Sequence, residues 1–131
     1  MNIQPIKTNL PWARIGVVFV VTIIFAGSSI PSKNIPGIFS LTPDKLIHCA
    51  EYAVLGFFLY HWLRLEFSSF TPGKINIITF FIGSIIGIAD ENYQRLTPGR
   101  TPNVWDWVLD SAGVLLIIVL MHYLTRKKSL K

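Results

Sequence analysis

Four long apolar runs, each closed by turn-forming residues, set the pattern of the chain. They cover about residues 13–30, 46–65, 75–95 and 106–124. Each is close to the roughly 20 residues that an α-helix needs to cross a bilayer. None alternates apolar and polar residues as a half-buried strand would. Pro31, the Pro72-Gly73 pair and Thr97-Pro98-Gly99 break the runs, as helix-ending residues do. The pattern predicts an all-α fold, an integral membrane bundle of four transmembrane helices forming one domain over residues 1–131.

Local signals refine the ends. Trp12 and Arg14 open the first run and suit a membrane interface, where an indole or a snorkelling guanidinium is at home. Pro31 to Leu41 is a turn-rich but partly apolar loop, expected on the membrane surface or over a site. Thr42, Pro43 and Asp44 read as the cap and first turn of the second helix. In the third run, Gly83-x-x-x-Gly87 is a small-residue packing motif. A homodimer through such a face is one expectation.

Composition agrees with a membrane setting. Of 131 residues, 51% are hydrophobic and only 15% charged, with a mean hydropathy of +0.49, against about 25% charged in an average soluble domain. The net charge of +5 does not form a groove-reading surface, so no nucleic acid partner is expected. Arg126, Lys127, Lys128 and Lys131 instead read as a juxtamembrane anchor. The single cysteine, Cys49, permits no internal disulfide and reads as a buried thiol. The polar, Pro-broken start and the lack of a clear cleavage site make the first run a retained span.

Four spans place both termini on one side. Eight basic residues fall on that side and four on the other. The positive-inside rule then predicts a multi-pass protein of the cell membrane with both termini cytoplasmic. The acids take the opposite side. Asp44, Glu51, Asp90, Glu91, Asp106 and Asp110 all belong to the outer ends of three helices, and only Glu66 lies inside.

Ionisable groups at the end of a span are costly and mark candidate sites. Asp44, His48 and Glu51 are spaced by four and three along one face, with Lys45 and Tyr52 on a neighbouring one. Asp90 and Gln94 share a face with Gly83 and Gly87. Asp106, Asp110 and Gly113 keep the same spacing. Three helices thus offer polar stripes at one depth, and a pocket at the outer headgroup level is the simplest arrangement. Glu91 lies off the Asp90 face, toward solvent or the following loop. Arg95 is expected to pair with an acid. Trp105 and Trp107 read as an aromatic belt, and His61 and His122 as interfacial residues of the far side.

Taken together, Asp44-Lys45-x-x-His48-x-x-x-Tyr52, Asp90-Glu91-x-x-Gln94, Pro98-Gly99-Arg100, and Asp106 followed by Asp110-x-x-Gly113 resemble the VanZ-like membrane protein family. The resemblance runs from about Thr42 to Leu124. Asp110 departs from the Asn more usual there, and Glu51 lies outside the pattern. The resemblance implies a small helical membrane protein linked to the cell envelope, since the founding member is associated with teicoplanin resistance. It supplies no agreed reaction. The label phosphotransbutyrylase, carried by some members, has no counterpart here in a soluble acyl-phosphate site.

The residues themselves support several chemistries. Carboxylates and imidazole can hold a divalent cation or act as general acid and base. Arg100 and Lys45 can bind phosphate. One reading is an enzyme acting on an anionic or phosphorylated membrane lipid, such as a polyprenyl phosphate, as a phosphatase or headgroup transferase. His48, Asp90, Asp44, Glu91 and Asp106 would then be catalytic. Arg100, Lys45, Tyr52, Gln94, Asp110 and Glu51 would bind substrate. A second is a non-enzymatic lipid- or glycopeptide-binding modulator of the envelope and of antibiotic susceptibility. A third is a structural network of ion pairs locking the helix ends. No HExxH, CxxC, Walker or nucleophile-elbow pattern fixes a reaction class.

Overall fold

A computed structural model describes residues 12–35 and 44–129, with side chains from 46 to 127 in the second stretch. Within these residues it holds four α-helices and no strand: α1 (Trp12–Ser28), α2 (Asp44–Glu66), α3 (Pro72–Gln94) and α4 (Val104–Ser129), with a 3-10 turn at Ser32–Asn34. The cap read at Thr42 and Pro43 lies outside the described residues.

Helix ends differ from the sequence expectation where capping overrides hydropathy. Pro72 and Gly73, expected in a loop, form the first turn of α3. Thr71 caps it by accepting from the Lys74 N–H, and Pro72 stands at the first helical position, where its missing N–H costs nothing. α4 starts at Val104 because Asn103 accepts from Trp105 N–H through its side chain and from Asp106 N–H through its carbonyl. Arg126, Lys127 and Lys128 continue the helix instead of leaving it as a tail; Lys131 lies outside the described residues.

Three of the helices, α2, α3 and α4, are long and apolar enough to cross a membrane. α1 is apolar but has 17 residues, about 26 Å of rise against roughly 30 Å of hydrocarbon. It stops short because Ser29 and Ile30 tighten onto the Ala26 and Gly27 carbonyls and Pro31 follows. The expected fourth span is therefore not matched in length.

α2 packs against all three other helices. The core joins Val17, Val20 and Ile24 of α1 to Tyr52, Leu55 and Leu59 of α2 and to Val114 and Ile118 of α4. The outer surface is equally apolar: Val18, Phe19, Phe81, Ile85, Leu116 and Val119 are all exposed. Helices apolar all round belong in lipid, where small residues at the contacts give close packing. A Cβ on Gly113 would lie 2.2 Å from the Cys49 carbonyl oxygen, so α2 and α4 meet backbone to backbone. The Gly83–Gly87 face, expected to be available to a dimer, is occupied within the chain: Val114 sits over Gly83, and Trp107 and Asp110 over Gly87.

Candidate functional site

The polar residues gather at the end of the bundle formed by the N-termini of α2 and α4 and the C-termini of α1 and α3. Each close helix contact positions one of them. Gly113 lies one turn after Asp110, and its approach to Cys49 brings Asp110 beside His48. His48 Nδ1 stands 3.5 Å from Asp110 Oδ1. On the other side of α4, Gly87 leaves room for the Asp110 carboxylate, whose Oδ2 would be 3.3 Å from a Cβ there. Asp110 and Asp90 are both completely buried, as is Tyr52. Asp110, Asp90, Glu51 and Glu91 all act electrostatically on the Tyr52 hydroxyl.

Asp90 is held by its own helix. Gln94, one turn later, donates from Nε2 to Asp90 Oδ2 at 3.0 Å and reaches Ser28 Oγ of α1 at 3.5 Å. Glu91, next in sequence but on another face, is also buried. It points to the following loop, where its Oε2 accepts the Asn103 N–H at 3.0 Å. Of the two settings the sequence left for Glu91, this is the loop. The contact ties the end of α3 to the start of α4.

Arg100 was expected to face a pocket as a phosphate ligand. In the structure its guanidinium donates to the Gly27 carbonyl at 3.1 Å and the Ile30 carbonyl at 3.2 Å. Thr97 Oγ1 adds a bond to the Ser28 carbonyl at 2.8 Å. The last carbonyls of a helix lack intrahelical donors and carry partial negative charge, so a cation there is favoured twice over. The turn that presents Arg100 is closed by its N–H on the Thr97 carbonyl. Pro98 and Gly99 occupy its corners, and Gly99 has φ +78°, a type II turn that suits glycine. Ser32 bonds through its hydroxyl to the Gly99 carbonyl and through its N–H to the Pro98 carbonyl. The loop after α1 is thereby fixed to the loop after α3.

Beside this turn lies an open cleft of about 540 Å³, with Arg100, Asp106, Gln94, Asn103, Thr101 and Ser32 in its wall. Gln94 links the cleft to the buried acids. Asp106 is half-buried there, while Asp90, Asp110, His48 and Tyr52 lie outside the cleft wall. The cluster has more acceptors than donors. Asp90 Oδ1, Asp110 Oδ2, Glu91 Oε1 and Asp106 Oδ1 are buried and accept no hydrogen bond from the described residues. The Tyr52 hydroxyl is likewise buried without a hydrogen-bond partner among them. Among the described residues, no three acids, histidines or cysteines stand close enough to ligate one metal ion. The side chains of Asp44 and Lys45 lie outside the described residues.

Two sequence expectations change, those for Trp107 and Arg95. Trp107 does not join an aromatic belt: its Nε1 donates to the Ser84 carbonyl at 3.2 Å and hydroxyl at 3.0 Å. Trp105 is exposed on the surface. Arg95 is exposed at a shallow groove that also contains Glu91 and Asn103. The sequence gives no sign of the roles of Ser28 and Thr97, because isolated hydroxyls carry no pattern, whereas Ser84 stands where close helix approach is expected.

No curated protein and no solved structure matches the chain. The family model described as VanZ/LLP1 matches residues 14–125, a stretch that contains α2, α3 and nearly all of α1 and α4. With that match, the apolar helices and the polar cluster, the chain is a membrane protein with transmembrane helices, and it belongs to the VanZ/LLP1 family.

Proposed function

We propose that this protein acts on an anionic or phosphorylated envelope lipid at the headgroup level, with His48 as general acid or base. The supporting observation is the His48–Asp110 pair. A carboxylate beside Nδ1 holds an imidazole in one orientation and favours Nε2 as the working nitrogen, the logic of acid-base dyads generally. Burial strengthens that interaction by excluding water. Asp90, held by Gln94, keeps a second carboxylate near Tyr52. Asp106 and Arg100 border the cleft through which a headgroup would approach. Arg100 keeps α1 in place, and a bound phosphate would have to share its guanidinium with the α1 carbonyls.

In this reading α1 serves as a fourth, shorter span, which places both termini on the cytoplasmic side and the polar cluster at the outer headgroups. Water attacking the phosphorus of a polyprenyl or glycerolipid phosphate would break its P–O bond to the lipid alcohol, giving inorganic phosphate and the free alcohol, with His48 moving the proton; in a transferase the hydroxyl of a second lipid takes the place of water. Purified protein assayed against a panel of lipid phosphates, with and without divalent ions, is expected to turn over at least one of them and to lose that turnover in His48→Gln. No turnover of any lipid in the panel, under either condition, would refute the enzymatic reading.

The acceptor-rich cluster also favours a second reading, a protein that binds a cationic or hydrogen-bond-donating envelope component without reacting and so alters antibiotic susceptibility. Saturable binding of a lipid or glycopeptide without turnover would support it.

A further inference from the structure

At the other end of the bundle, α2 and α4 part to form a groove of about 480 Å³. Phe57, Tyr60, Met121 and Leu124 give it apolar walls, and Lys127 stands at its mouth. His61 adds a ring whose Nδ1 donates to the Phe57 carbonyl at 2.8 Å, with Trp12 packed on its far side at 5.4 Å between ring centroids. Thr125, also in the wall, spends its hydroxyl on the Met121 and His122 carbonyls. The groove therefore offers an unbranched apolar guest little hydrogen bonding and a positive charge at one end. Its volume falls within the roughly 300–1,000 Å³ of small-molecule sites.

The groove is far from the polar cluster. His61 follows His48 by 13 residues on α2, about 20 Å along the helix axis. This end is rich in cations. Arg64, Lys74, Arg126 and Lys127 are exposed there, and Glu66, the one described acid, is paired with Arg14.

We infer that this groove holds an acyl chain of an anionic phospholipid from the leaflet at the α4 C-terminus, with the lipid phosphate on Lys127 and Arg126. The apolar walls take the chain, and charge complementarity selects the headgroup. A zwitterionic lipid would fit the walls equally well but gain less from the rim, by about fivefold for each basic residue near the phosphate.

The test is lipid retention by the full, delipidated protein in detergent micelles, read by native mass spectrometry. The probes are phosphatidylglycerol and phosphatidylcholine of the same chain composition. Phosphatidylglycerol is expected to be retained at least fivefold better. The double variant Arg126→Gln/Lys127→Gln, altered only at exposed positions, is expected to hold the two lipids equally. Leu124→Trp, at a half-exposed wall position, is expected to lose both. Soluble glycerol 3-phosphate is expected not to compete. Equal retention by the unaltered protein, a preference that survives the double variant, undiminished binding in Leu124→Trp, or displacement by glycerol 3-phosphate would each overturn the inference.

Discussion

Asp110 reaches to 3.5 Å from His48 across the α2–α4 contact, one helical turn from the point where Gly113 presses against the Cys49 carbonyl. The acid-histidine pair and the tightest helix contact are therefore one construction. Widening the contact moves the pair apart.

Gly113→Ala tests that coupling. The new Cβ would meet backbone at 2.2 Å, so α2 and α4 must separate, at a cost of about 1–3 kcal/mol or more. A clear fall in the thermal midpoint in detergent is expected. Gly73→Ala is the control, since nothing lies within 4 Å of its Cβ, and the change should be neutral or slightly stabilising.

Arg100→Ala removes two charge-assisted bonds to the C-terminal end of α1. The expected loss is about 1.5–3 kcal/mol, with faster proteolytic cleavage between residues 29 and 35. Arg100→Lys is expected to recover only part of this, because an ammonium lacks the planar fork that reaches two carbonyls at once. Cleavage unchanged in Arg100→Ala would show that Thr97 and Ser32 hold this end unaided.

Trp107→Phe keeps the ring and removes the donor to Ser84. A loss of about 0.5–1.5 kcal/mol is expected. A double-mutant cycle with Ser84→Ala should show coupling between the two positions, and strict additivity would contradict the bond to the Ser84 hydroxyl.

Asp110→Asn is expected to fold and to be at least as stable as the unaltered protein. A neutral amide costs less to bury than a carboxylate, and its oxygen can occupy the place of Asp110 Oδ1 beside His48. Thermal unfolding checks this, and a large destabilisation would mean that the negative charge itself holds the helices.

Much of this was legible in the sequence, for definite reasons. The apolar runs gave the helices because lipid-facing and core-facing residues are both hydrophobic. The short polar spacings brought His48, Asp90 and Asp110 to one end because helix periodicity fixes faces. Gly83, Gly87 and Gly113 marked close contacts, but not with what: a small-residue face reads the same whether its partner is another chain or α4. Arg100 was harder to place, since a guanidinium suits phosphate and helix-terminal carbonyls alike. Trp107 was misread because an indole near a helix start looks interfacial until its N–H finds Ser84. The length of α1 depended on how Gly27-Ser28-Ser29 tightens, which hydropathy does not report.

Whether the buried pair performs chemistry or only braces the helices is decided by measuring lipid-phosphate turnover and thermal midpoint together for His48→Gln and Asp110→Asn. An acid-base role predicts turnover reduced by about 10²-fold or more in His48→Gln, with the midpoints of both variants within a few degrees of the unaltered protein. Turnover undiminished in His48→Gln would contradict that role.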